Sequence, residues 1–164
     1  MKTLLKLQAL DLKTEACKAR EWEMPKKKRK FDVQRQRLEE EQKQAEDRVK
    51  NLTLEQKDLE GQIEVANTQI GKYNAQLGAV KKNEEYQALL HEIDGIRKQI
   101  GLKEERILAI MEEIEDAKAR LKEDTKRIGE ELKKIEGQCA EIDAELAEAV
   151  KYREELQKEG EPLA

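Results

Sequence analysis

From Ile93 onward an apolar residue stands at every seventh position: Ile93, Ile100, Ile107, Ile114, Leu121, Ile128, Ile135 and Ile142. An α-helix brings residues seven apart back to nearly the same side, so this run calls for one helix that keeps a single face turned inward. A strand would bury alternate residues, and a disordered chain has no reason to keep a period. A second seam accompanies the first through Ile96, Ile110, Met111, Ala117, Leu132, Cys139 and Leu146. It begins three residues behind the first seam and ends four behind it, which is a drift between heptad phases. Lys103 and Asp124 interrupt it with polar groups.

The first half carries its own seam. Val49, Leu52, Leu59, Ile63, Ala66, Ile70, Tyr73, Leu77 and Val80 follow spacings of three and four, with Gln56 as the polar intruder. Backwards the register passes Ala45 and Leu38 to Phe31, with Gln42 and Arg35 between them. Composition agrees: 43% of residues are charged and 3% aromatic, so the chain lacks the large rings that fill a globular core.

Two seams need a connection. Gly78-Ala-Val-Lys-Lys-Asn83-Glu-Glu lies between them, at the middle of the 164 residues. Lys81 and Lys82 suit a helix C-terminus, Asn83 suits an N-cap, and Glu84 and Glu85 suit the first turn of a following helix. Arms of equal length, each about 120 Å if wholly helical, let one chain cover its own seams. Two chains paired as continuous helices satisfy the same pattern. Pro25 divides the first arm, since an internal proline breaks or kinks a helix. The residues therefore predict an all-α fold, a long antiparallel coiled-coil hairpin with a short N-terminal helix before Pro25. Its parts are 1–24, carrying Leu4, Leu5, Leu7, Leu10, Leu12 and Trp22 and laid against Leu146, Val150 and Leu156; 25–80, the first long helix; 81–83, the turn; 84–160, the second long helix; and 161–164, a tail.

Chemistry-bearing groups are sparse. His91 is the single histidine and has no second ligand one helical turn away. Cys17 and Cys139 have no CxxC partner, and in hairpin register they miss each other by about 13 Å, too far for a disulfide. There is no phosphate loop, nucleophile elbow or carboxylate constellation, and a two-helix rod offers no enclosed pocket. The residues thus point to a non-enzyme with no catalytic, cofactor or metal site in this chain. Polar residues at Lys6, Gln8 and Asp11 break the N-terminal run too early for a signal peptide, and no segment has the apolar length to span a membrane. A cytoplasmic setting is expected.

Two surfaces invite partners. Lys26, Lys27, Lys28, Arg29 and Lys30 form a basic run that resembles a nuclear localisation signal or could contact phosphates. Residues 1–50 hold 15 basic against 10 acidic groups, whereas residues 130–161 hold 5 against 11. Complementary arms that fix register are the simpler reading, and positions adding to about 165 would set 26–30 beside 135–139, among Glu130, Glu131, Glu136 and Glu141. The second surface is the turn: Lys81, Lys82, Asn83, Glu84, Glu85 and Tyr86. Glycines at 61, 71, 78, 95 and 101 gather around it, and they suggest a pliable distal hairpin that meets a partner.

The opening Leu4-Leu-Lys-Leu-Gln-Ala-Leu-Asp11, the proline at 25 and above all Lys81-Lys-Asn-Glu-Glu-Tyr-Gln-Ala-Leu-Leu-His-Glu-Ile93 resemble a bacterial family of long helical hairpins followed by a four-cysteine zinc ribbon. Some of its members act in flagellar or secretion regulation and bind the sigma factor RpoN. The resemblance implies an adaptor or chaperone-like role with a protein partner of that kind. It also implies zinc in a longer protein; the sequence ends at Gly160-Glu-Pro-Leu-Ala164 without a ribbon, as a truncated chain or a member lacking the module would. Zinc and ribbon-borne nucleic-acid contact are not carried over. The alternatives are a coiled-coil spacer or oligomerisation protein, and a nucleic-acid binder through Lys26–Lys30. Net charge of −4 weighs against the last.

Overall fold

The computed structural model describes residues 2–160, with side chains from 3 to 159. Two helices account for nearly all of it: α1, Lys2–Leu77, and α2, Asn83–Gly160. They pair antiparallel as a coiled-coil hairpin, in two compact units: a distal one of residues 43–124 and a proximal one of residues 2–42 and 125–160.

In the distal unit both seams are mainly apolar. Ile70, Ile93 and Ile100 are buried together, flanked by Ile63, Ala66, Tyr73, Leu77 and Ile96. Leu52, Ile110 and Ala117 form a second cluster with Val49, Leu59 and Ile114. Ile110, at 0% exposure, is the most enclosed large side chain described. Met111, expected in the seam, is 48% exposed: it stands one residue past Ile110 and so points about 100° away. Lys103 and Asp124 are half-buried in the seam, as their spacing requires.

In the proximal unit Leu38, Ile128, Ile135 and Cys139 are buried against Phe31 and Leu132. Here the phase drift is visible: Glu131 and Leu132 are both half-buried, and beyond them the inward positions run through Ile135, Cys139 and Ile142. Two successive steps of four, Asp124 to Ile128 to Leu132, break the alternation of three and four as a four-residue insertion does, which locally unwinds a coiled coil.

The break expected at Pro25 is absent. α1 runs through it, so residues 2–24 are the first turns of α1, and no third helix forms among the described residues. The inward stripe does not lose phase either: Leu7, Leu10, Thr14, Cys17, Glu21, Met24, Lys28 and Phe31 alternate steps of three and four across the proline. Buried Cys17 and Met24 hold this stretch in place, with Ala149 and Leu156 the buried positions of the facing part of α2. Pro25 itself is exposed, where its ring projects away from the packed stripe and only the Glu21 carbonyl loses its donor. Leu4, Leu5, Leu12 and Trp22 do not pack: each is more than 60% exposed.

The connection is 78–82, earlier than the expected 81–83. Gly78, a poor helix former, follows the last helical residue, and the amides of Ala79 and Val80 both donate to the Gln76 carbonyl, at 3.0 and 3.1 Å. Tyr86 N–H donates to the Lys82 carbonyl at 3.1 Å. Lys82 therefore holds the N-cap position expected of Asn83, which is the first helical residue. The tail, 161–164, lies outside the described residues.

Candidate functional site

The turn displays its side chains to solvent. Every residue from Lys81 to Ala88 is exposed, and Tyr86 is 40% exposed. Glu84 and Glu85 occupy the first turn of α2, where the unpaired amides favour negative charge. Lys81 and Lys82 lie beyond α1, whose last turn holds no basic residue, so they do not cap it as expected. Gln76, Ala79, Val80, Lys81, Lys82 and Glu85 line a shallow hollow of about 440 Å³.

The basic run is divided. Lys28 turns inward and donates to Asp143 at 2.7 Å, and that hydrogen bond raises its pKa above the ordinary lysine value. Lys26 sits 5.0 Å over the Trp22 ring, and Lys27, Arg29 and Lys30 face solvent. The expected neighbours 135–139 are not the partners. The contacting residue numbers add to 171 at Lys28–Asp143 and 174 at Glu21–Arg153, against the 165 expected, and to 161 at Glu55–Arg106 in the distal unit.

Counting back by sevens from Gln42 and Arg35 finds what the sequence reading missed. Thr14, Glu21, Lys28, Arg35 and Gln42 occupy the same inward position in five successive heptads, all half-buried. Four of them meet α2: Glu21 accepts from Arg153 at 3.0 Å, Lys28 donates to Asp143, Arg35 approaches the Cys139 sulfur at 4.0 Å, and Gln42 donates to Thr125 at 2.8 Å. Lys28–Asp143 has the polarity inferred from the net charge of the arms, whereas Glu21–Arg153 and Glu41–Arg127 have the reverse. The Glu21–Arg153 pair is the most enclosed, at 18% and 28% side-chain exposure, and its Glu21 Oε1 and Arg153 Nε make no hydrogen bond. Arg153→Leu alone strands the carboxylate and is expected to cost about 1–3 kcal/mol. The double change Glu21→Leu/Arg153→Leu should restore wild-type stability or exceed it, because paired leucines carry no desolvation penalty. Urea unfolding of the three proteins measures both.

In the distal unit an open groove of about 1100 Å³ runs along one side, with Leu54, Gly61, Val65, His91, Gly95 and Lys103 among its walls. A Cβ added at Gly61 or Gly95 would meet nothing within 4 Å, so no close approach of chains requires glycine there. His91 has exposed surroundings, and among the described residues no group of three or more His, Cys, Asp or Glu could hold a metal ion. Cys17 and Cys139 are free, buried in the seam and not joined to one another. The zinc implied by the resemblance therefore has no fitting donor set in these residues. No described helix is long and apolar enough to cross a membrane.

Fold and surface together define an antiparallel coiled-coil hairpin with an uncovered tip. Residues 7–164 match the model of the CT398-like coiled coil hairpin domain, and the chain belongs to that family. Among solved structures it is similar to CT398 from Chlamydia trachomatis, with a TM-score of 0.69 at 20% identity over 96% of this chain and 70% of that one. A coiled-coil segment of Pyrococcus yayanosii Smc aligns over 98% of this chain and 73% of its own, at 19% identity and a TM-score of 0.32. No curated protein matches.

Proposed function

We propose that this chain is a non-enzymatic adaptor, or chaperone-like regulator, of the bacterial cytoplasm that binds other proteins through the hairpin tip at Lys81–Tyr86. The observation that carries the reading is the tip itself: eight consecutive exposed residues, Lys81 to Ala88, that hold both charge signs and an aromatic side chain, Tyr86. Membership of a coiled-coil hairpin family is consistent with a binding role. The resemblance at residues 81–93 makes RpoN, or a flagellar or secretion component, the first partner to try.

The test is binding of purified RpoN from the source bacterium to the chain, measured by calorimetry. Lys81→Glu/Lys82→Glu and Tyr86→Ala should each weaken it by about tenfold or more, as expected for loss of a central aromatic or charged contact. Undiminished affinity in both variants would remove the tip from the interface. A second reading, nucleic-acid binding, draws support from the four residues of the Lys26–Lys30 run that remain exposed. It requires an affinity that falls steeply with salt and disappears when those four are neutralised.

A further inference from the structure

α1 has a second apolar seam, on the side turned away from α2. Leu5, Ala9, Leu12, Ala16 and Ala19 follow steps of four and three, and all five are exposed. Leu5 is 65% and Leu12 69% exposed, values that a packed seam never shows, and Trp22 borders the seam at 70%. The inward stripe has its own residues at Leu7, Leu10, Thr14 and Cys17, so these five are not misassigned core. One edge of the outer seam is basic with the same period: Lys6, Lys13, Arg20 and Lys27, all exposed. Glu145 and Glu148 of α2 border the same hollow as Arg20, whereas Lys6, Lys13 and Lys27 extend beyond it.

We propose that this outward face of α1, from Leu5 to Ala19 with Trp22 at its edge, is a docking seam for an acidic amphipathic helix of another protein. A seam of period seven is read by a second helix lying along the first, and alanine at alternate steps lets the two backbones approach closely. A basic row flanking such a seam selects a partner with Glu or Asp at the facing flank, as the flanking positions of paired coils do. The exposed charges from Leu4 to Val33, eight basic and four acidic, favour an acidic partner over a basic one. Leucine and alanine recurring at seven match the fixed side-chain spacing of a helix, whereas a lipid surface has no period to match, which sets a helix ahead of a lipid surface. The inference shares with the proposed function only that the chain binds protein; it uses a different surface from the tip.

Trp22, the single tryptophan, borders the seam and reports its occupancy. The probe is a synthetic 28-residue helix with Leu and Ala at its seam positions and Glu along both flanks; a control peptide carries Lys in place of Glu. Titrated into the whole chain, the acidic peptide should shift Trp22 emission to the blue and bind at least about tenfold more tightly than the control, with an affinity that falls as salt rises. Leu5→Glu/Leu12→Glu should abolish binding while helicity is retained, since neither side chain is packed. Lys6→Glu/Lys13→Glu/Arg20→Glu should reverse the preference so that the Lys peptide binds better. Equal binding of the two peptides would reduce the seam to unspecific apolar adhesion. No binding, or quenching of the seam by self-association of the chain in native mass spectrometry, would overturn the proposal, as would anionic vesicles that shift Trp22 when the acidic peptide does not. Tip variants should bind the peptide like the wild type, so this seam and the tip fail separately.

Discussion

Ile110→Ala should lower the unfolding free energy by about 3 kcal/mol, within the range for emptying an isoleucine site that cannot collapse. Ile110 has no exposed surface, and its cluster joins Leu52 to Ala117, whose side chain is too short to fill the space left behind. Two rigid helices also leave few ways to close a gap, because moving either one disturbs Val49, Leu59 and Ile114 in the same cluster. For a chain of this size the loss corresponds to a fall of roughly 6–12 °C in melting temperature. Leu108→Ala, two residues away and 66% exposed, should stay within about 0.5 kcal/mol. A thermal melt followed by circular dichroism at the helical band compares them; equal melting points would mean that Ile110 is not enclosed as described.

The second large effect has the opposite sign. Pro25 stands inside α1 with helical residues on both sides, and proline is about 3 kcal/mol less favourable than alanine in a helix interior. Pro25→Ala returns an N–H to the Glu21 carbonyl and removes the ring clash with the preceding turn. Proline also restricts the unfolded chain, which offsets a fraction of a kcal/mol to about 1 kcal/mol of the gain. The expected outcome is stabilisation by about 2 kcal/mol, with slower amide exchange at residues 18–30 than in the wild type. Unchanged stability and exchange would place Pro25 at a break between two helices, the arrangement that the sequence suggests.

The heptad seams were legible because burial in a two-helix coil depends almost wholly on phase, and phase is written in residue spacing. Thus Ile93 to Ile142, Leu38, Leu52 and Ile70 all stand inward or half-inward as the periodicity requires. The polar interruptions at Gln42, Arg35, Gln56, Lys103 and Asp124 were read equally well, since the apolar residues around them fix the face. Pro25 misled because propensity is local, whereas Cys17, Met24 and Phe31 hold the helix from outside. With the break removed, the heptad count runs back to Leu7 and uncovers the polar positions at Thr14, Glu21 and Lys28, which no apolar pattern announces. The pairing of Lys28 with Asp143 escaped for another reason: a midpoint sets one sum for all contacts, whereas the contacting residue numbers add to 171 here and to 161 at Glu55–Arg106. At the turn, the exposure of 81–86 follows from the midpoint of the chain, while its recognition chemistry has no spacing rule to reveal it.

The account rests on one chain covering its own seams, which leaves the tip and the outer faces for partners. Electron–electron distance measurement between spin labels on Gln62→Cys and Gln99→Cys tests this most directly, with Cys17 and Cys139 replaced by alanine and the sample diluted in unlabelled protein. Both positions border the distal groove, one on each helix. A hairpin places the labels about 20 Å apart or less, since packed helices lie about 8–10 Å from axis to axis. A distance of about 55 Å, the span of 37 residues in one uninterrupted helix, would contradict the hairpin and turn the seams toward a second chain.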